Sequence, residues 1–202
     1  MQARLNSYFD TLGRLLMATA CSDRAGRTMS LADAYDWAMH TAVRTHAQGN
    51  KLMFIGNGGS AAIASHMATD FTKNGNLRTV SFNDGSMLTC LGNDLGYENV
   101  FARQIEMHAR LGDLLVAISS SGRSANILKG VAAARAGGCA VLTLSGFNAD
   151  NPLRRAGDVN LWVNSGEYGF VEVAHLALCH AVLDMIMGWG AATPRAAGAG
   201  RA

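Results

Sequence analysis

KLMFIGNGGSAAIASHMATD, residues 51–70, is the stretch whose reading decides the fold. Leu52, Met53, Phe54 and Ile55 form a short apolar run of strand length. Gly56, Asn57, Gly58 and Gly59 break it, and Ser60 then opens an Ala-rich segment with helical spacing. Strand, glycine loop and helix in that order aim free backbone N–H groups at the loop, a ready anion site. Further along, His66 and Asp70 stand four residues apart and share a helix face. The stretch therefore offers a place for a phosphate or hydroxyl group and a polar pair beyond it.

On its N-terminal side, residues 1 to about 20 place Leu5, Tyr8, Phe9, Leu12, Leu15 and Leu16 at helical spacing. Residues 22–28, with Gly26, read as a polar break, and Ser30 caps a second helix running through Ala34, Trp37, Ala38 and Val43 to Gly49. On the C-terminal side, residues 78–82 read as a second strand. Residues 86–91 and 97–110 read as helices separated by a turn at Gly92, Asn93 and Asp94. Residues 114–118, 140–144 and 159–163 read as three more strands, with a helix over 124–136, a loop around Pro152 and a last helix over 168–187.

Strands alternating with helices predict an α/β fold with a single doubly wound parallel sheet of five strands, two N-terminal helices and a long C-terminal helix. In the flavodoxin-like order 2-1-3-4-5 the switch point lies between the first and third strands, where ligands bind. That order brings the loop 56–60 beside the loop 119–124. Residues 1–190 read as one domain, and the tail 191–202, made only of Gly, Ala, Arg, Thr and Pro, is expected to be disordered.

Composition narrows the function classes. Hydrophobic residues are 49% and charged residues 16% of the 202, a tilt that points to extra burial between subunits. No run approaches the roughly 18 apolar residues needed to span a bilayer. The first twenty residues carry Asp10 and no clear apolar signal core, so neither a membrane nor a secretory signal is expected. A net charge of +2 without a basic cluster argues against nucleic acid as a partner. Cys21, Cys90, Cys139 and Cys179 lie far apart and form no CxxC pair, which suits reduced thiols in a cytoplasmic protein.

Ser119, Ser120, Ser121 and Ser124 follow a buried strand and precede a helix. Four hydroxyls together with helix N-terminal N–H groups suit a phosphate monoester, and their density exceeds what capping alone requires. There is no Lys as in a P-loop, so a nucleoside triphosphate is not expected. The loop at Gly56 also fits G-x-G-x-x-A, with Asp84 as a possible ribose ligand. Asn57, Ser60 and the serine loop fit a small phosphorylated ligand better than a dinucleotide. On the last helix Glu172, His175 and His180 sit at offsets of three, five and eight, so Glu172 and His180 lie on neighbouring faces about two turns apart. His175 reads equally as a packed core histidine. Two histidines and two carboxylates from two helices can bind Zn²⁺, and they can equally serve as general acid and base.

The GNGGS loop with its following His, the GND at residues 92–94, the ISSSGRSAN loop and the Glu172/His175/His180 helix together resemble SIS-domain proteins of the phosphoheptose isomerase type, over about residues 1–190. The resemblance implies a homotetramer with active sites between subunits. The implied reaction is conversion of sedoheptulose 7-phosphate to D-glycero-D-manno-heptose 7-phosphate, or a related sugar-phosphate isomerisation, often with bound zinc, for surface-polysaccharide heptose synthesis. It assigns Asn57, Gly58, Gly59, Ser60, Asn93 and Asp94 to the substrate and Ser119, Ser120, Ser121 and Ser124 to its phosphate. His66, Asp70, Glu172 and His180 take the metal positions, and Asp70, Glu172 and His180 the catalytic ones. Three residues depart from the family pattern, which usually has Glu at 70, Gln at 172 and Asp at 63. The segment 72–76 is also shorter than the family's Arg-rich stretch. Two other classes share the fold: a non-catalytic SIS tetramer that binds a protein partner such as a replication initiator, and a sugar-phosphate sensor. The initiator-binding relative lacks the histidine at the place of His180.

Overall fold

The computed structural model describes residues 1–191. Helix α1 (Gln2–Met17) leads into β1 (Ala20–Asp23) and β2 (Thr28–Met29). Helix α2 (Leu31–Ala47) starts where Ser30 accepts a hydrogen bond from the Asp33 N–H, the cap read from the sequence. Then come β3 (Leu52–Ile55), α3 (Gly59–Lys73) and β4 (Thr79–Ser81). Helix α4 (Gly85–Leu95), a 3-10 turn (Tyr97–Asn99) and α5 (Val100–His108) precede β5 (Leu114–Ser119). Next are α6 (Ala125–Ala136), β6 (Ala140–Ser145) and a 3-10 turn (Pro152–Arg155). Last are β7 (Val159–Trp162) and α7 (Tyr168–Ile186).

The sheet order is β4-β3-β5-β6-β7-β1-β2. Its five parallel strands follow the expected order 2-1-3-4-5, with β3 as the first. The count of five is corrected to seven, because β1 pairs antiparallel with β7 and β2 antiparallel with β1. Residues 22–28, read as a polar break, are the middle of that hairpin. Strands of four and two residues with Ser and Asp in them carry no apolar alternation, so pairing with β7 creates them rather than local preference. The buried Asn160 fastens the hairpin, its Nδ2 donating to the Ser22 and Asp23 carbonyls.

Both faces of the sheet are covered. Leu52 and Phe54 of β3 point into a core shared with α2, α3 and α7, while Met53 and Ile55 point into a second core with α5 and α6. This period-two split with apolar residues on both faces marks a parallel sheet buried between helix layers. Two further expectations change. Gly92, Asn93 and Asp94 do not form a turn but lie within α4, which Asp84 caps and Gly96, at φ +85°, ends. Helix α7 is also long and apolar enough by length and composition to cross a membrane, so the expectation that no segment comes close does not hold. Here it is a core helix, with Val171, Ala174, Leu178 and Leu183 buried against the sheet. Apart from Ala191, the tail for which disorder is expected lies outside the described residues.

Candidate functional site

Strands β3 and β5 are parallel neighbours, so their C-terminal loops open side by side. A reciprocal amide pair joins the loops. Asn57 Nδ2 donates to Asn126 Oδ1 at 2.9 Å, and Asn126 Nδ2 donates to Asn57 Oδ1 at 2.8 Å. The Tyr97 hydroxyl donates to the same Asn57 oxygen at 3.1 Å. Asn126 and Tyr97 were not singled out in the sequence. Asn126 stands in the ISSSGRSAN stretch but reads there as an ordinary helix residue, and Tyr97 shows no local sign of facing Asn57. Gly58 precedes α3 with φ +53°, Gly59 begins the helix and Ser60 is buried in its first turn.

The serine loop is ordered by its own hydroxyls. Ser119 Oγ accepts from the Gly122 N–H and lies 3.3 Å from Ser124 Oγ, while Ser121 Oγ accepts from the Arg123 N–H. Ser124 stands at the start of α6 without making a side-chain cap bond. Ser120 Oγ is buried with no hydrogen-bond partner, a state that native structures rarely leave uncompensated. A capping turn alone accounts for neither of these last two hydroxyls. A phosphate oxygen at the α6 N-terminus would satisfy both, in the field of the helix dipole.

The second group lies along α3 and α7, which pack against each other. His66 Nε2 is 3.3 Å from His180 Nε2 and 3.4 Å from Asp70 Oδ2, and His180 Nδ1 is 4.0 Å from the same oxygen. Ligand atoms of these three residues all lie within 4.8 Å of one another, and all three side chains reach solvent. Two imidazole nitrogens and a carboxylate oxygen with an open side fit a zinc site that keeps a position for another ligand. The same trio can exchange protons, since the ring nitrogens hydrogen-bond when one carries a hydrogen.

Glu172 is not part of that trio. Eight residues before His180, it lies about 12 Å up α7. Its carboxylate instead packs on Gly59 so closely that a Cβ there would overlap it. Glu172 therefore sits at the positive end of α3, beside the glycine loop. Asn93 and Asp94 lie exposed on α4, where Asn93 Nδ2 donates to Asp94 Oδ1 and Asp94 Oδ2 accepts from Cys90 Sγ. No polar contact ties them to either loop among the described residues. Ile63 is a core residue facing the sheet. His175 is fully buried, with Nε2 3.1 Å from the Ser145 carbonyl and Nδ1 unpartnered, and desolvation pushes its pKa down to about 4. It is the packed core histidine that the sequence allowed.

Comparison with known proteins bears on this arrangement. Residues 24–146 match the SIS domain family. The phosphoheptose isomerase of Aliarcobacter butzleri is 36% identical over 163 residues, which are 78% of this chain and 86% of that one. The solved phosphoheptose isomerase of Neisseria gonorrhoeae superposes with a TM-score of 0.78 at 32% identity, covering 92% of this chain and 98% of that one. The phosphoheptose isomerase structure from Francisella tularensis gives the same TM-score at 26% identity, covering 92% and 97%.

Proposed function

We propose, for a chain that belongs to the SIS domain family and within it to the phosphoheptose isomerases, that it interconverts sedoheptulose 7-phosphate and D-glycero-D-manno-heptose 7-phosphate. The chain is a phosphosugar isomerase. The observation that carries the catalytic assignment is the meeting of His180 with His66 and Asp70 on neighbouring helices. A protein that only bound a partner or sensed a ligand would have no need of this cluster.

Aldose–ketose isomerisation moves a proton between C1 and C2 through an enediol, with one base and one acid near the carbonyl. Asp70 and His180 lie 4.0 Å apart and suit that pair, with Asp70 as base and His180 as acid. Ser119, Ser120, Ser121 and Ser124 hold the distal phosphate, and its binding energy orients the reacting end. Asn57, Gly58, Gly59 and Ser60, on the loop that opens beside the serine loop, face the sugar hydroxyls. Glu172 is too far from the His180 of its own chain to share one carbon with it. Its place beside Gly59 suits it to accept a hydrogen bond from a sugar hydroxyl.

In a zinc-bound form His66, Asp70 and His180 would be the ligands rather than a free acid and base, with Glu172 outside the set one chain supplies. Bound there, zinc would polarise a carbonyl or hydroxyl oxygen as a Lewis acid. The assembly is a homotetramer with sites completed between subunits, into which Asn93, Asp94 and Glu172 bring further polar groups. Helix α1 supports this. It buries no residue and leaves Leu5, Tyr8 and Phe9 exposed, although Tyr8 stacks on Phe170 of α7. The product would feed surface-polysaccharide synthesis from the cytoplasm, where free Cys21, Cys90, Cys139 and Cys179 stay reduced.

The test is turnover of sedoheptulose 7-phosphate and other ketose phosphates by the purified protein, with light scattering for its mass. The expected result is turnover by a tetramer, with kcat lowered about 10²- to 10⁴-fold in His180→Ala. Binding of sugar phosphate without turnover would make the protein a sensor. Capture of a replication initiator without turnover would make it a partner-binding tetramer.

A further inference from the structure

Resting on the reading of residues 119–124 as the phosphate cradle, we propose that Asn151 is a positioning residue for that cradle, acting through Gly122. Asn151 is 1% exposed and spends its whole amide inside the protein. Its Nδ2 donates to the Asn148 carbonyl at 2.8 Å, the Gly146 carbonyl at 3.2 Å and Ser145 Oγ at 3.3 Å. Its Oδ1 accepts from the Arg154 N–H at 3.1 Å and so caps the 3-10 turn Pro152–Arg155. One side chain thereby shapes the whole segment after β6.

That segment grips the serine loop on both sides of Ser121. The Gly146 N–H donates to the Ser120 carbonyl at 2.9 Å, and the Leu153 N–H donates to the Gly122 carbonyl at 3.1 Å. Between these two bonds the Asn151 amide lies directly on Gly122, and any Cβ at 122 would overlap its Oδ1. Gly122 also has φ +62°, which only glycine adopts without strain. The backbone of residues 120–122 is thus clamped from below, and the clamp sets where the unpartnered Ser120 hydroxyl points. A cradle for a small anion needs its donors fixed to within about half an ångström. Asn suits the place because it both donates to three neighbouring oxygens and accepts from Arg154. Asp would lose the donors and set a carboxylate under an anion site.

The experiment uses the full chain and two readouts: kcat and KM for the sugar phosphate, and the affinity of inorganic phosphate by calorimetry. In Asn151→Ala, KM and the phosphate Kd rise together about tenfold while kcat stays within twofold. Gly122→Ala, which disturbs the same contact from the other side, does the same, and the double variant is no worse than either single one. If Asn151→Ala fails to fold, the neutral Asn151→Ser, which places no charge under the anion site, supplies the same measurements. A merely structural asparagine would lower thermal stability, or kcat, and leave the phosphate Kd alone, and that result overturns the proposal. Ser120→Ala and Ser124→Ala separate the two levels. If they weaken phosphate binding and the Asn151 variants do not, only this inference fails. If the serine variants also bind phosphate normally, the cradle reading itself is wrong.

Discussion

The ring nitrogens of His66 on α3 and His180 on α7 lie 3.3 Å apart, joined across 114 residues of sequence, with the Asp70 carboxylate within 4.0 Å of both. Three donors of this kind converge on one point open to solvent, and they define the reactive end of the site. Metal analysis of the purified protein should find about one zinc per chain. His66→Ala and His180→Ala should each lose most of it, whereas Glu172→Ala, about 12 Å away along α7, should keep it. Zinc retained in both histidine variants would rule out this ligand set.

At the other end of the site, Ser120 Oγ has no hydrogen-bond partner, and Ser124 makes no cap bond and meets only Ser119 Oγ. A hydrogen bond to a charged group contributes about 1.5–3 kcal/mol, so Ser120→Ala or Ser124→Ala should raise KM roughly 10- to 100-fold. The kcat should change far less, since the proton transfer happens on α3 and α7. Steady-state kinetics decides the matter, and an unchanged KM in both variants counts against the cradle.

Glu172 and Gly59 bring α7 and α3 into close contact beside the glycine loop. Adding one methyl group in Gly59→Ala must push the carboxylate aside. Its kcat/KM should therefore fall about as far as that of Glu172→Ala, and the double variant should be no worse than either. Independent, additive losses would mean that Gly59 matters for some other reason, such as direct contact with substrate.

Burial of His175 makes the fold sensitive to acid. Its pKa is pushed from the ordinary 6.5 down to about 4 by desolvation, so between those values the unfolded chain binds the proton that the folded one refuses. The stability it preserves is complete above pH 6.5 and is lost as pH falls toward 4, by about 3 kcal/mol at most. Denaturant unfolding at pH 7 and pH 4.5 should show this loss in the wild type and a smaller one in His175→Gln. Equal losses in the two proteins would assign the acid sensitivity to other groups.

Much of this was legible in the chain itself. The apolar runs at 52–55 and 114–118 and the loops after them are local features, and in the flavodoxin-like order 2-1-3-4-5, which the parallel strands adopt, they bring the two loops together. Helix arithmetic also places Glu172 two turns from His180, although residue type and the family resemblance group them as one ligand set. Hydrogen bonding between distant segments was not legible. Ser22 and Asp23 become strand only because β7 offers them partners, and Asn151 looks like any loop asparagine until Gly122 is seen against it.

The sequence by itself determined the elements, the doubly wound class and the residue types of the site, because strand and helix periodicity and glycine and serine turns are short-range preferences. Only the tertiary structure decided that His66, Asp70 and His180 share one point while Glu172 stands at the glycine loop. That outcome depends on the register between α3 and α7, which packing of their buried faces on the sheet sets. No spacing within either helix carries that register.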